Sequence, residues 1–199
     1  MSKDFYSALK ERRSFYSISP ESKVKDERIA EVIKDAMLHA PSAFNSQSSR
    51  VVLLLDEHHK KLWSLTMEAL KEVVKPENWQ QTEDKIASFA NGYGTVLYFD
   101  DETVVNGLQH KFPLYSDNFP IWAQQANGIL QYMIWTSLQI EGFGASLQHY
   151  NPLIDSAVKE TWKIPNEWKL IAQMPFGVPT KQPDEKSKLS IEEMFIMYH

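Results

Sequence analysis

The 199-residue sequence contains no cysteine. This absence excludes disulfide bonds, thiolate nucleophiles, iron–sulfur clusters and cysteine-based zinc sites. A surplus of positive charge is also missing, because 21 Lys and Arg residues stand against 26 Asp and Glu residues, giving a formal net charge of −5. General nucleic-acid binders and proteins of anionic membrane surfaces carry a basic surplus, so we predict neither nucleic acid nor membrane as a partner. Any anionic ligand must therefore be held by a local cluster of bases.

Long hydrophobic runs are lacking as well. The most apolar region, residues 121–143, is interrupted by several Gln and Asn residues and by Glu141. It therefore predicts a buried or interface helix rather than a membrane span. The first residues, MSKDFYSALKERR, are charged throughout and do not resemble a secretory signal. We expect one domain over residues 1–199 and a cytoplasmic location.

Several common catalytic motifs are absent. The sequence has neither a Walker loop nor a G-x-S-x-G motif, and the segment 142–144 supplies only half of a dinucleotide fingerprint. Its six histidines do not form an H-x-x-x-H pair, so we predict no metal site. Aromatic residues are plentiful at 12%, and such rings build cores, subunit interfaces and pockets for flat ligands.

Hydrophobic periodicity predicts an alternation of helices and strands. We expect Asp26 to cap a helix that Pro41 stops, and the run at 51–55 to be a strand buried on both faces. The expected helices span 3–13, 26–40, 57–75, 77–90, 101–111, a long segment after Pro120 that ends at Gly142 or Gly144, and 153–162. The expected strands span 51–55, 94–99, 145–149 and 168–176. This order predicts an α+β or α/β sheet covered by helices on both faces.

Four polar clusters stand out along the chain. They are Arg12-Arg13-Ser14, residues 41–47 (PSAFNSQ), residues 141–147 (EGFGASL) and residues 186–188 (KSK). Each has an ordinary interpretation when taken alone, namely bases at a helix C-terminus, a capping loop, a helix stop before a strand, and a solvated basic loop. An apolar segment, 191–198, follows the last cluster and is a candidate arm for a partner subunit.

Taken together and in this order, the four clusters resemble the nitroreductase family. Residues 112–152 are most similar to its fatty-acid-repression-mutant-like subgroup. The resemblance implies a nitroreductase-like α+β fold with a central, mostly antiparallel sheet flanked by helices. It also implies an intertwined homodimer that binds two FMN molecules at the subunit junction, with residues 179–199 as an arm on the partner. The implied activity is that of an FMN-dependent NAD(P)H oxidoreductase, in which hydride passes in a ping-pong sequence from NADH or NADPH through the flavin to nitroaromatics, quinones or similar small aromatic acceptors.

The resemblance also implies roles for individual residues, whose chemistry suits them. Arg12, Arg13, Ser14, Lys186 and Lys188 would hold the FMN phosphate, with Lys181 as a further candidate because the loop register is open. The remaining flavin contacts are expected from Asn45 and Gln47 at the pyrimidine edge, and from Glu141, Gly142, Gly144 and Ala145 near the flavin N5. The aromatic residues expected to line the open face of the flavin, or else to pack in the core, are Phe112, Phe119 and Trp122. No side chain is assigned as a catalytic residue, because flavin N5 is the reactive centre.

One departure from the family pattern leaves a second function open. Many members carry Arg or Lys two residues after the first-motif serine, where this sequence has Tyr16. A phenol stabilises an anionic reduced flavin less than a cation does. A flavin-binding redox sensor or regulatory protein with little turnover is therefore an alternative, and a helical dimer without cofactor is a third. His149 and Tyr150 are either proton donors or structural residues, and water could serve in their place.

Overall fold

The computed structural model describes residues 4–199. Within them the chain forms seven α-helices and five strands. The helices are α1 (Phe5–Glu11), α2 (Asp26–His39), α3 (Asp56–Lys71), α4 (Trp79–Ala90), α5 (Glu102–Lys111), α6 (Phe119–Ile140) and α7 (Asp155–Trp162). Short 3-10 turns occupy Ala43–Asn45, Pro76–Asn78, Pro113–Asn118 and Ile191–Glu193.

The strands form one antiparallel sheet. They are β1 (Ile18–Ser19), β2 (Ser49–Leu55), β3 (Gly94–Asp101), β4 (Gly144–Ala145) and β5 (Trp168–Pro179). Their order is β1-β5-β3-β2, and β4 pairs with β5 beside this path. All of these strand pairs are antiparallel. The predicted α+β architecture with helices around an antiparallel sheet is therefore confirmed.

Two hydrophobic cores lie on opposite faces of this sheet. Along β3, Val96 and Tyr98 point into the core that α2 and α6 cover. The alternate residues, Leu97 and Phe99, point into the core that α3, α4 and α7 cover. All four side chains are fully buried, as period-two alternation in a central strand requires. The sheet thus has helices on both faces, and α6 lies along one of them.

Helix α6 ends where the sequence predicts. The N–H of Gly142 donates to the carbonyl of Gln139 at 3.2 Å, and the N–H of Phe143 donates to the carbonyl of Leu138 at 2.9 Å. This pair of bonds is the Schellman arrangement, and it places Gly142 in the left-handed region at φ 91°. The chain then turns directly into β4.

Four local expectations differ from the structure. The strand predicted at 145–149 is only the two-residue strand β4, Gly144–Ala145. Lys25, not Asp26, occupies the N-cap of α2; Asp26 is the first helical residue, and its carboxylate instead accepts a hydrogen bond from the Tyr93 hydroxyl. The strand predicted at 51–55 is only half-buried apart from Leu54, because β2 lies at the sheet edge and has one neighbouring strand. The helix predicted at 57–75 stops at Lys71.

The chain beyond β5 belongs to no strand or α-helix. Its apolar side chains are largely exposed, with Ile196 at 75% and Tyr198 at 90%. No helix within residues 4–199 combines the length and apolar character that crossing a membrane requires.

Candidate functional site

A large cavity lies between the N-terminal segment and the segment that follows β5. Its volume is about 1090 Å³, and most residues of 9–17 and 181–194 line it, although Glu11, Glu185, Glu192 and Glu193 do not. Six basic side chains line it, together with a single acidic residue, Asp184. The bases are Lys10, Arg12, Arg13, Lys181, Lys186 and Lys188. We call this space the basic cavity.

The end of α1 brings the first polar cluster to the cavity. Arg12 caps the helix with an extended backbone, φ −61° and ψ 119°, so the chain leaves the helix nearly straight. It then runs beside β4, where Ser14 forms a parallel bridge with Ala145. The N–H of Phe15 donates to the carbonyl of Ala145 at 2.9 Å. One protomer therefore brings Arg12, Arg13, Ser14, Ala145 and the lysines of 186–188 together.

The two glycines of the third cluster have local structural roles. Gly142 supplies the positive φ that ends α6. A Cβ on Gly144 would lie 2.7 Å from the Cβ and Cγ atoms of Phe15 and 2.8 Å from Pro179 Cγ. Gly144 is thus required by the packing of Phe15 against β4. The expectation that small residues here make room for a ligand ring is not needed to explain them.

The two arginines of the cavity are held in different ways. The guanidinium of Arg13 donates to the backbone carbonyl of Asp184 at 2.6 Å, which ties the segment after β5 to the N-terminal segment. The guanidinium carbon of Arg12 lies 4.4 Å from the ring centroid of Trp135 and 5.9 Å from that of Tyr132, both on α6. The Nε atom of Arg12 is buried and has no hydrogen-bond partner within residues 4–199. Two more buried polar atoms here, Tyr132 Oη and Trp135 Nε1, also have none.

The second polar cluster lies elsewhere. Phe44, which precedes Asn45, stacks on Trp122 near the start of α6 with a centroid distance of 5.9 Å and an interplanar angle of 20°. Arg12 stacks on Trp135 near the end of the same helix. The 13 residues between these positions correspond to about 20 Å along an α-helix. Neither Asn45 nor Gln47 lines the basic cavity of its own protomer.

The backbone around this second cluster is strained. Phe44, Asn45 and Gln47 have φ values of 56°, 49° and 48°. Residues other than glycine rarely adopt this left-handed backbone region, and strained residues of this kind are often found at functional sites. The N–H of Gln47 donates to Ser42 Oγ at 3.0 Å, while the side chains of Asn45 and Gln47 are exposed.

The three predicted acceptor-pocket residues lie with this cluster. Phe44 has ring-centroid distances of 5.0 Å to Phe112, 5.3 Å to Phe119 and 5.9 Å to Tyr115. Phe119 is buried, whereas Phe112 and Trp122 are half-buried. We call these five rings, Phe44, Phe112, Tyr115, Phe119 and Trp122, the aromatic cluster. The rings pack on one another, and the 51% exposed Phe44 forms their outer surface.

The carboxylate of Glu141 points away from the basic cavity. Its Oε1 accepts hydrogen bonds from Arg28 Nη2 at 2.7 Å and Arg28 Nε at 3.0 Å, which joins α2 to the end of α6. The Glu141 side chain therefore has a structural partner.

The remaining candidates separate by exposure. Tyr16 lines the basic cavity and is 50% exposed. His149 is exposed, whereas Tyr150 packs edge-on against Trp63, and burial raises the pKa of Tyr150 to about 12. Its phenol is thus neutral at physiological pH. Another histidine, His59, is buried between Thr95 Oγ1 and the Ala90 carbonyl, and burial lowers its pKa to about 4.

The sequence patterns missed two residues. Lys10 lines the cavity because it lies in the last turn of α1, one position from the helix end. Phe44 organises the aromatic cluster, and its signal was present as an isolated aromatic residue within a polar loop.

Three comparisons with known proteins bear on the family of this chain. The model of the nitroreductase family matches residues 9–178. Nitroreductase FRM2 of Saccharomyces cerevisiae is 31% identical over 98% of this chain and 97% of its own length. The putative nitroreductase HBN1 of the same yeast is 33% identical over 92% of each chain. The predicted fatty-acid-repression-mutant-like subgroup is confirmed by the match to FRM2.

Solved structures give the same assignment. Nitroreductase CinD of Lactococcus lactis, in complex with chloramphenicol, superposes with a TM-score of 0.89 at 38% identity, covering 98% of this chain and 100% of CinD. The complex of CinD with 4-nitrophenol has a TM-score of 0.88 at 39% identity and the same coverage. Family model, relatives and fold all agree, so the chain belongs to the nitroreductase family and is an oxidoreductase.

Proposed function

We propose that the protein is an FMN-dependent NAD(P)H oxidoreductase that reduces nitroaromatics, quinones or similar small aromatic acceptors by a ping-pong route. The observation that carries the proposal is the basic cavity, where six bases and one acidic residue meet in a chain of net charge −5. Such a local excess of cations suits a phosphate that carries nearly two negative charges. CinD, which has been solved with chloramphenicol and with 4-nitrophenol, supports the aromatic acceptor class.

The residues of the cavity fit an FMN phosphate. Arg12 offers the edge of its guanidinium, and its buried Nε has no partner among the described residues. That Nε is closed to solvent, so contacts to a phosphate would come from the terminal N–H groups of Arg12, which is half-buried in the cavity wall. Lys186 and Lys188 add point charges from the opposite wall, and Ser14 adds a hydroxyl.

The bound FMN would supply the redox chemistry, accepting hydride at N5 from the nicotinamide and passing it to the acceptor. The chain would hold the phosphate in the basic cavity and present the backbone of residues 142–145 toward the ring. Asn45 and Gln47 can donate and accept hydrogen bonds at the pyrimidine edge without ionising. No ionisable side chain is needed as a general base.

We propose further that two copies of the chain build each site. Phe44 contacts Trp122 and Arg12 contacts Trp135, two positions about 20 Å apart along α6, and neither Asn45 nor Gln47 lines the basic cavity, so a second copy would supply one of the two clusters to each flavin. Exposed apolar residues mark the surface available for such a contact. They are Leu38 of α2, Ile121 and Ile129 of α6, and Leu189, Ile191, Met194, Phe195, Ile196, Met197 and Tyr198 of the terminal segment. An exposed apolar surface of this kind is typical of a subunit interface.

One observation favours a second candidate, a flavin-binding sensor with little turnover. Tyr16 lines the basic cavity where many relatives have a cation, and its phenol gives weaker support to negative charge on a reduced flavin. Tight flavin binding with slow reduction would distinguish this candidate from the enzyme.

An anaerobic visible spectrum of the FMN-saturated protein tests the proposal. NADH and NADPH are added in turn, followed by a nitroaromatic or a quinone. We expect the flavin absorbance to bleach within seconds and to return when the acceptor is added. A flavin that stays oxidised with both donors supports the sensor, whereas a protein that takes up no FMN contradicts both candidates.

A further inference from the structure

The four arginines of the chain differ in what holds their guanidinium groups. Arg28 contacts the carboxylates of Glu31 and Glu141, Arg50 contacts the carboxylate of Asp101 at 2.9 Å, and Arg13 contacts a backbone carbonyl. Arg12 has no oxygen partner among the residues that the structure describes, and its contacts are the two rings of α6. Arg12 is therefore held by the faces of aromatic rings alone.

Helix geometry explains why two rings meet this guanidinium. Tyr132 and Trp135 are three residues apart and so lie on the same face of α6. Helix α1 packs on α6, and its C-cap residue, Arg12, lies over the indole at 4.4 Å. A cation within about 6 Å of an indole centroid is attracted by the ring quadrupole, and tryptophan gives the strongest such attraction.

An arginine held by an aromatic ring can bind an anion more readily than an arginine paired with a carboxylate. A carboxylate engages the N–H edge, as Asp101 does with Arg50, and it cancels the charge that would attract an anion. An indole face engages only the flat surface of the guanidinium and leaves the N–H groups free. The ring of Trp135 under its guanidinium carbon thus restricts the side-chain rotamers of Arg12, while the charge is not cancelled by a carboxylate and the terminal N–H groups stay available.

We propose that Trp135 is the positioning residue for phosphate recognition, holding the guanidinium of Arg12 with its N–H edge available to the phosphate of FMN. The inference rests on the proposed function, since it assumes that the basic cavity binds that phosphate. Trp135 contributes the face of its ring and makes no direct contact with the phosphate.

Riboflavin, which lacks the phosphate, provides the test. Dissociation constants of FMN and riboflavin are measured by flavin fluorescence for the wild type, Trp135→Leu and Trp135→Phe. We expect Trp135→Leu to weaken FMN binding by about 3- to 30-fold, the range that a cation–π contact supplies, and to change riboflavin binding less than twofold. Trp135→Phe keeps a ring and should recover part of the loss.

The chain offers a matched control in its second arginine–tryptophan pair. Arg50 lies 5.7 Å from the ring centroid of Trp168, but Asp101 already holds this arginine. Trp168→Leu should leave the ratio of the FMN and riboflavin constants unchanged. In an Arg12→Gln background, Trp135→Leu should cause no further loss of FMN affinity, because the partner of the indole is gone.

The outcomes separate this inference from the proposed function. A wild type that binds FMN no more tightly than riboflavin contradicts the phosphate site itself. A wild type that prefers FMN, together with a Trp135→Leu variant that keeps this preference, contradicts the positioning role alone. Equal weakening of both ligands by Trp135→Leu also contradicts it, since that result indicates a general structural effect. If Trp135→Leu does not fold, Trp135→Phe takes its place. Its ratio of FMN and riboflavin dissociation constants is compared with that of the wild type and, in the Arg12→Gln background, with that of Arg12→Gln alone. A change in the first comparison but not in the second supports the positioning role, and any other result contradicts it.

Discussion

The two ends of helix α6 carry the two halves of the candidate site, and they differ in what they lack. At the C-terminal end, which we call the basic end, Trp135 and Tyr132 contact a guanidinium that has no oxygen partner in the described part of the chain, beside a cavity with six bases. At the N-terminal end, which we call the aromatic end, Trp122 stacks on Phe44 within the aromatic cluster. The backbone there is strained, but basic side chains do not gather as they do in the basic cavity.

This difference indicates that each end is incomplete in a complementary way. The basic end has charge and unpaired donors but few exposed amides. The aromatic end has exposed amides and rings, yet it contains no cation cluster. A flat ligand with a phosphate at one end needs both kinds of surface. If two copies pack with their α6 helices antiparallel, each basic end meets the partner's aromatic end, and two equivalent sites result.

The largest effect is expected from removing the exposed terminal segment. Deleting residues 189–199 retains Lys186 and Lys188 but removes seven large apolar side chains that are at least 58% exposed, of which Leu189, Ile191 and Met194 also line the basic cavity. We expect a folded monomer without bound flavin, because burial of this surface supplies the interface. Light scattering after gel filtration gives the mass, and Val73→Ser, which alters an apolar residue that is 61% exposed between α3 and α4, serves as the control. A truncated protein that stays dimeric and yellow would contradict the role of the segment.

Arg12→Gln addresses the basic end alone. Losing charge-assisted hydrogen bonds to a phosphate costs about 3 kcal/mol, so FMN affinity should fall about 100-fold. Fluorescence titration measures the dissociation constant. Lys60→Gln removes an exposed cation from α3, where it pairs with Glu57 at 2.8 Å, and should have no effect. If Arg12→Gln retained wild-type affinity, the phosphate would have to lie elsewhere.

Co-expression of two defective variants tests whether the ends come from different copies. An Arg12→Gln chain and an Asn45→Ala/Gln47→Ala chain should each bind FMN poorly in homodimers. In a mixed dimer, one of the two sites receives Arg12 and both amides in wild-type form. Random pairing therefore restores about a quarter of the wild-type sites, counted as FMN bound at saturation of the wild type. If each site is built within one copy, co-expression restores none.

The sequence predicted the basic end better than the aromatic end, for physical reasons. The charges of Arg12, Arg13, Lys186 and Lys188 are visible in any sequence, and only their meeting point depends on the fold. That meeting point follows from two features, the extended backbone after α1 and the antiparallel path of β5, which returns the chain beside residues 13–17. The resemblance to the nitroreductase family, which the order of the four clusters carries, implied this meeting point.

Other features depend on tertiary contacts that no motif expresses. The partner of Glu141 is Arg28, 113 positions away, so its carboxylate could not be assigned from the helix end alone. The aromatic contacts of Arg12 arise from the packing of α1 on α6. The half-burial of β2 follows from its place at the sheet edge, which its continuous apolar run does not indicate.

Phe44→Gly tests the aromatic end with a smaller effect. Glycine adopts positive φ freely, so relief of strain gains about 1 kcal/mol, while loss of the half-exposed ring contacts costs a similar amount. The free energy of unfolding should therefore change little. If the ring helps to bind the aromatic acceptor, the KM for 4-nitrophenol should rise about three- to tenfold. Phe44→Asn tolerates the same backbone and is the matched control for loss of the ring without glycine flexibility. An unchanged KM in both variants would limit the aromatic cluster to packing.

The smallest effect is expected at Asp100, which underlies α6 between the two ends. This carboxylate is 5% exposed and accepts a hydrogen bond from Asn127 Nδ2 at 3.0 Å, while Asn127 Oδ1 accepts one from Gln131 Nε2 at 2.7 Å. Burial raises the pKa of Asp100 above its usual range. The unfolded chain therefore loses its proton first as the pH rises, and stability falls between the unfolded and folded pKa values and is constant above them.

Asp100→Asn removes this dependence while its side-chain oxygen still accepts from Asn127. Above the folded pKa, the variant should gain free energy of unfolding relative to wild type, and this gain should vanish below the unfolded pKa. Urea denaturation at pH 3, 5 and 8 measures this difference in the free energy of unfolding. Asp117→Asn, which changes an exposed carboxylate, serves as the control. A gain that is equal at all three pH values would mean that the ionisation of Asp100 does not contribute. FMN affinity should stay unchanged, because the Asp100 carboxylate contacts the middle of α6 at Asn127 and lies in neither half of the candidate site.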